Sequence, residues 1–143
     1  MKIRTEIIIN ASKEKVWDIL TDFDKYQHWN PFIVKSQGLA IPESYLVNTM
    51  KNGDRFITFK PKVLKVEPNK YFDWQGKLWF KGLFDGHHFF HIEEIHPNQV
   101  KLIHGENFSG LMSKMILKKI GQQTRESFEH MNKALKKAAE SDH

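Results

Sequence analysis

From Gly110 to the C-terminus the chain has no proline, and apolar side chains return every three or four residues. Met112, Ile116, Ile120, Phe128, Met131, Leu135 and Ala138 form the series, with Thr124 in step. This spacing predicts one long amphipathic helix. About 28 helical residues span ~42 Å, enough to cross a whole small domain. Such a helix must bury its stripe against a layer of similar length, so the rest of the chain has to supply that layer. Gly121 interrupts the helix and reads either as a kink or as a point of close approach.

The preceding residues supply strands. Lys2 to Asn10 alternates and then runs through Ile7-Ile8-Ile9, which predicts a first strand. Ser12 is a good N-cap, with Lys13, Glu14 and Lys15 in the first turn. Val16, Trp17, Ile19, Leu20 and Phe23 then recur at helical spacing, and Asp24 to Trp29 reads as a second short helical piece ended by Pro31. Between Phe32 and Phe108 the pattern becomes strands and tight turns. The predicted strands are Phe32–Gln37, Tyr45–Met50, Arg55–Val66, Tyr71–Lys77, His87–Ile95 and Gln99–Phe108. Consecutive strands joined by Asn52-Gly53-Asp54, Pro68-Asn69 and His96-Pro97-Asn98 imply an antiparallel meander. The whole, residues 1–143, reads as one α+β domain.

A sheet of six or seven strands twists and curls, and one straight helix does not fill its concave side. The space must hold large side chains, water or a ligand. Trp74, Trp79, Phe80, Phe84, Phe90 and Phe108 are available for it, with Met112 and Met115 from the helix. For any one of these residues, close packing is the expected role. Placing Ile95 opposite Gln99 pairs Ile92 with Leu102, Phe90 with His104 and His88 with Glu106. One face then carries Phe90, Ile92, Leu102 and Phe108, with His88, His104 and Glu106 toward one end. The other face carries His87, His91, Glu93, Lys101 and Gly105, and also Phe89, which does not suit solvent. A slip of one residue would join an apolar face to a polar one. A buried histidine opposite a glutamate needs a partner, so the two are expected to hydrogen-bond each other. They either satisfy one another or also touch a ligand.

Composition narrows the function. There is no cysteine, which excludes disulfides and thiolate chemistry and suits a reducing cytoplasm. No apolar run approaches the ~20 residues of a membrane span, and Met1-Lys2-Ile3-Arg4-Thr5-Glu6 is not a signal peptide. The formal charge is +5, but the lysines are scattered, and Lys114, Lys118, Lys119, Lys136 and Lys137 read as a solvated helix face rather than a nucleic-acid site. His88, His104 and Glu106 resemble a two-histidine, one-carboxylate metal set, but no helix-borne His-x-x-x-His motif accompanies them. No metal and no cofactor is expected.

The run Phe23-Asp24-Lys25-Tyr26-Gln27-His28-Trp29-Asn30-Pro31-Phe32 resembles the START/Bet v1-like (SRPBCC) superfamily, and most of all its bacterial polyketide cyclase/dehydrase-like branch. Phe59-Lys60-Pro61-Lys62-Val63-Leu64, Val66-Glu67-Pro68, Gly82-Leu83-Phe84-Asp85-Gly86, His88–His91 and Glu106-Asn107-Phe108-Ser109-Gly110-Leu111 also fit. The resemblance implies a helix-grip fold, in which a curved antiparallel sheet of about seven strands wraps the C-terminal helix and two short helices follow strand 1. It also implies a small hydrophobic ligand, such as a lipid, polyketide or aromatic metabolite, held in an internal cavity. The expected lining is Trp29, Trp74, Phe84, His88, Phe90, Ile92, Leu102, His104, Glu106, Phe108, Met112, Met115 and Phe128. The alternative is a cyclase or dehydratase using His88, His104 and Glu106 as acid–base groups; no catalytic motif of the family transfers. No nucleic-acid partner is expected, and the chain reads equally well as a monomer or a homodimer.

Overall fold

The computed structural model describes residues 2–77 and 85–141. Strand β1 (Lys2–Ile9) is followed by helix α1 (Lys13–Thr21), whose N-terminus is closed by Ser12: its hydroxyl accepts from the Lys15 amide at 3.2 Å. A 3-10 helix covers Phe23–His28. The turn through Pro31 is held by Asn30, whose side-chain oxygen accepts from the amides of Phe32 and Ile33, each at 2.9 Å. The buried Tyr26 hydroxyl donates to the carbonyl of Leu20 and ties the two short helices together.

The remaining strands are β2 (Ile33–Gln37), β3 (Val47–Asn52), β4 (Arg55–Phe59), β5 (Lys62–Glu67), β6 (Tyr71–Lys77), β7 (Asp85–His96) and β8 (Gln99–Ser109). They form antiparallel sheets ordered β1-β8-β7-β6-β5 and β2-β3-β4. The segment before β3 links the two: Leu46 donates to the Pro61 carbonyl at 2.9 Å, and Val63 to the Ser44 carbonyl at 2.8 Å. Sequence periodicity predicted one strand over Arg55–Val66. The structure divides it into β4 and β5 at Lys60-Pro61, because proline has no N–H to continue a ladder. Eight strands among the described residues therefore replace the expected seven.

The β7–β8 register is the expected one through Ile92↔Leu102, Phe90↔His104 and His88↔Glu106. The hairpin tip differs. His96, not Ile95, pairs with Gln99, and an irregularity after Glu94 absorbs the extra residue. Phe89, the apolar residue on the outer face, has a local cause. A Cβ on Gly105 would stand 2.6 Å from both Phe89 Cζ and the Ile3 carbonyl, so the ring lies over the glycine and fills the space a side chain would take. Lys2 Nζ sits 5.6 Å from its centroid.

Helix α2 (Ser113–Glu140) runs 28 residues without interruption. Its buried line is Ser113, Leu117, Phe128, Met131, Asn132, Leu135 and Ala139. The predicted stripe diverges from it toward the N-terminus. Each four-residue step overshoots a turn by about 40°, so the series from Phe128 back to Met112 drifts by roughly 160° around the axis. Leu117, eleven residues before Phe128, returns to within about 20° of it. Met112 sits at the N-cap, half-buried, and Met115, thirteen residues before Phe128 and so about 140° around the axis from it, is 53% exposed. Gly121 is not a point of close approach, since an added Cβ would meet nothing within 4 Å, and the helix continues through it unbroken. Gly121→Ala is expected to stabilise the protein by about 0.5–1 kcal/mol in urea denaturation, the ordinary helix preference for alanine. A loss of stability would show that the apparent space is required.

Among the described residues no helix is long and apolar enough to cross a membrane.

Candidate functional site

The interior of the main sheet is a stack of rings. Phe72 and Phe90 stack at 4.9 Å, Phe90 and His104 at 4.5 Å, and His104 and Phe128 at 4.4 Å with 14° between planes. The His104 imidazole thus lies between two phenyl rings, one from β7 and one from α2. Trp74 stacks on His88 at 4.8 Å. Alternation along β6, β7 and β8 sends these side chains inward, and the buried line of α2 presses Phe128 onto them. Trp74, His88, Phe90, Ile92, Leu102, His104, Phe108 and Phe128 are all buried, the β7 and β8 residues among them on the face the register predicts.

Three expected lining residues are placed otherwise. Met115 faces outward, for the helical reason given above. Met112 lies at the mouth of α2. Trp29 packs on Tyr26 at 5.2 Å and borders a separate surface groove of about 400 Å³ between α1 and the end of α2. Phe84, like Trp79 and Phe80, lies outside the described residues.

The polar end is larger than the sequence suggested. His88 and His104 meet Nε2 to Nε2 at 2.7 Å, and His88 Nδ1 stands 3.3 Å from Glu106 Oε1. His104 Nδ1 lies 2.8 Å from Asn132 Oδ1. The Asn132 amide nitrogen donates to Thr5 Oγ1 at 2.8 Å, and the Thr5 hydroxyl donates to the His104 carbonyl at 2.7 Å. His88, expected to hydrogen-bond Glu106, instead makes its hydrogen bond to His104 and stands within ion-pair distance of Glu106, at one end of a five-residue array drawn from β1, β7, β8 and α2. Thr5 and Asn132 escaped sequence reading. Asn132 did leave a trace, as a polar residue one turn after Phe128 on an otherwise apolar stripe. Gly86 escaped as well. A Cβ there would come 2.0 Å from Glu106 Oε2, so the bare glycine is what admits the carboxyl group.

Burial governs the protonation of the array. It pushes His88 down to about 3, with a smaller push from the His87 charge. It holds His104 well below the ordinary histidine range, assisted by His88 and opposed by the Asn132 hydrogen bond. It raises Glu106 to about 8, against a small opposing effect of His87. Burial therefore favours a neutral carboxylic acid and two neutral imidazoles over their charged forms. Each imidazole nitrogen already faces a partner, so neither histidine offers a free lone pair to a substrate. Glu106, with a side chain 13% exposed, is the accessible member; the His88 side chain is 3% exposed. Among the described residues no group of three His, Cys, Asp or Glu side chains could hold a metal. The 2.7 Å contact commits to each other the nitrogens that the conceivable two-histidine set would need.

A second polar pair is buried in the small sheet. The Ser36 hydroxyl donates to Asn48 Oδ1, and the fully buried Asn48 leaves its amide nitrogen without a partner. Alternation places Asn48 on the same face of β3 as Met50, which packs against the core.

A long helix laid across a curved antiparallel sheet, with two short helices after the first strand, is now established in geometry as well as pattern. A sequence model of the polyketide cyclase / dehydrase and lipid transport family matches residues 1–140. The chain belongs to this family. Solved structures agree with the family fold. A START superfamily protein from Mycobacterium smegmatis superposes with a TM-score of 0.78 at 20% identity, covering 97% of each chain. The Zhui aromatase/cyclase from Streptomyces sp. R1128 gives 0.76 at 11% identity, over 98% of this chain and 93% of that one. A norcoclaurine synthase point mutant from Thalictrum flavum, in complex with a transition-state analogue, gives 0.74 at 13% identity, over 97% and 93%. At these identities the likeness is one of fold. No curated protein matches the sequence.

Proposed function

We propose that this member of the polyketide cyclase / dehydrase and lipid transport family binds a small hydrophobic molecule, a lipid, polyketide or aromatic metabolite, between the sheet and the first half of α2. The observation that carries the reading is the uneven seating of the helix. Its second half buries Phe128, Met131, Asn132, Leu135 and Ala139, while its first half buries only Ser113 and Leu117. Ile116 and Ile120 are partly covered there, and Gly121 faces open space. A helix of this length with an apolar but incompletely covered half leaves contact surface for a guest. The partnerless Asn48 amide adds support, because a buried donor without an acceptor costs free energy that a ligand oxygen would recover.

Burying ~200 Å² of apolar ligand surface contributes about 5 kcal/mol before association costs; micromolar binding needs ~8 kcal/mol net, so a larger apolar contact and the polar head must supply the rest. A cytoplasmic setting belongs to the same proposal and rests on the cysteine-free composition.

The test is native mass spectrometry of freshly purified protein, followed by a panel of hydrophobic ligands read by tryptophan fluorescence and melting temperature. A ligand at a hundred times its Kd should stabilise the fold by about 2.7 kcal/mol. If nothing co-purifies and no member of a broad panel shifts either signal, the reading fails.

A further inference from the structure

The buried array has a direction, and the direction can be worked out from its sealed end. A carbonyl oxygen only accepts, so the Thr5 hydroxyl spends its one proton on the His104 carbonyl. Thr5 Oγ1 must then accept at its other contact, which turns the Asn132 NH2 toward it and the Asn132 oxygen toward His104. That oxygen accepts as well, so His104 carries its proton on Nδ1. Fully buried between Phe90 and Phe128, His104 is held neutral by the cost of desolvating a charge, and its Nε2 is bare. His88 Nε2, 2.7 Å away, has to be the donor there. A neutral His88 then presents a bare Nδ1 to Glu106 Oε1. At 3.3 Å two bare lone pairs would repel in a buried site, so the favoured arrangement places a proton on one of these two facing atoms. Whether the nitrogen or the oxygen holds it, Glu106 Oε2 holds none.

We propose that the Thr5–Asn132–His104–His88 chain makes Glu106 Oε2 a proton-free acceptor that selects ligands whose head carries a hydroxyl or N–H donor. This rests on the hydrophobic-ligand reading and deepens it by naming the head-group chemistry. Glu106 touches the ligand; Thr5, Asn132, His104 and His88 are positioning residues, and Gly86 holds the space for the carboxyl. Ethers lack the proton to donate. Carboxylates bring a negative charge to an acceptor in a poorly hydrated site.

Three matched probes distinguish the two levels of the idea: 2-naphthol, 2-methoxynaphthalene and 2-naphthoate, titrated at pH 6.5 by calorimetry. Naphthol is expected to bind about tenfold more tightly than its methyl ether, the size of one net hydrogen bond, with naphthoate weakest. Glu106→Leu should bring naphthol down to the ether's affinity. Glu106→Gln should keep the preference, because its amide N–H serves His88 and its oxygen still accepts. Equal binding of naphthol and the ether by the parent protein overturns the proposal and leaves the ligand-binding reading standing. Failure of all three to bind overturns the selection, and failure of the broad hydrophobic panel as well removes the ligand-binding reading beneath it. Long-range 1H–15N correlation spectra read the array without any ligand. They should show His104 protonated on Nδ1 and His88 on Nε2, and the opposite His104 tautomer sinks the proposal whatever binds.

Discussion

Replacing Phe128 with alanine should destabilise the protein by about 3–5 kcal/mol, the range for removing a fully buried phenyl ring. Phe128 has no exposed surface and touches three rings: His104 at 4.4 Å, His88 at 5.1 Å and Phe32 at 5.5 Å. It is where the well-seated half of α2 meets the sheet, and it also closes one side of the polar array. Its loss should therefore act twice. A cavity opens, and water reaches the His104 ring, so that both histidines titrate closer to their ordinary range. Phe128→Leu fills most of the volume and is the control for the packing term. Urea denaturation at pH 6.5 measures the first effect and histidine NMR titration the second. A loss below about 1 kcal/mol would mean that the ring stack does not hold the helix down.

Stability should peak near pH 6.5 and fall on both sides. On the alkaline side the cause is Glu106, raised from 4.5 unfolded to about 8 folded. The folded protein keeps a proton that the unfolded chain releases, so this contribution is complete below pH 4.5 and is lost as the pH rises through about 8. From pH 6.5 to 8 the loss is about 2 kcal/mol. On the acid side His88 and His104 have the opposite sign. Their folded values lie below 6.5, so the unfolded chain takes up protons that the buried rings refuse, and stability falls as the pH drops from there toward 3. Between pH 4.5 and 6.5 two histidines oppose one glutamate and prevail. Glu106→Gln should abolish the alkaline limb and leave the acid limb in place, making the variant the more stable protein at pH 8.5. Thermal melts across this range decide it. An unchanged slope between pH 6.5 and 8 in the variant would show that the Glu106 carboxyl is not the group responsible.

Much of the molecule can be read from local pattern. Ser12 caps α1, the 3-10 helix stops at His28 ahead of Pro31, and the proline-free C-terminal stretch forms 28 unbroken helical residues. These are nearest-neighbour effects, set by capping, proline sterics and period. The β7–β8 register was also legible, although it pairs different strands, because a one-residue slip would exchange a buried face for a wet one and the mismatch is large. That same register sets His88 opposite Glu106 and Phe90 opposite His104 from the sequence alone.

Pattern misled where small errors add up or where partners are distant. Counting by fours along α2 drifts around the axis and carries the expected stripe from Phe128 back to Met112 off the buried face; Met115, offered for the interior by size alone, is 53% exposed. Pro61 was absorbed into a strand it interrupts. The polar array needs Thr5 and Asn132, 127 residues apart, and no local rule joins them. The histidine and glutamate residues of the polar end were visible in the sequence. Their proton arrangement was decided only by the tertiary structure, because a histidine's tautomer is set by whatever its other nitrogen faces. Here that is an asparagine on a helix whose docking angle depends on the whole sheet.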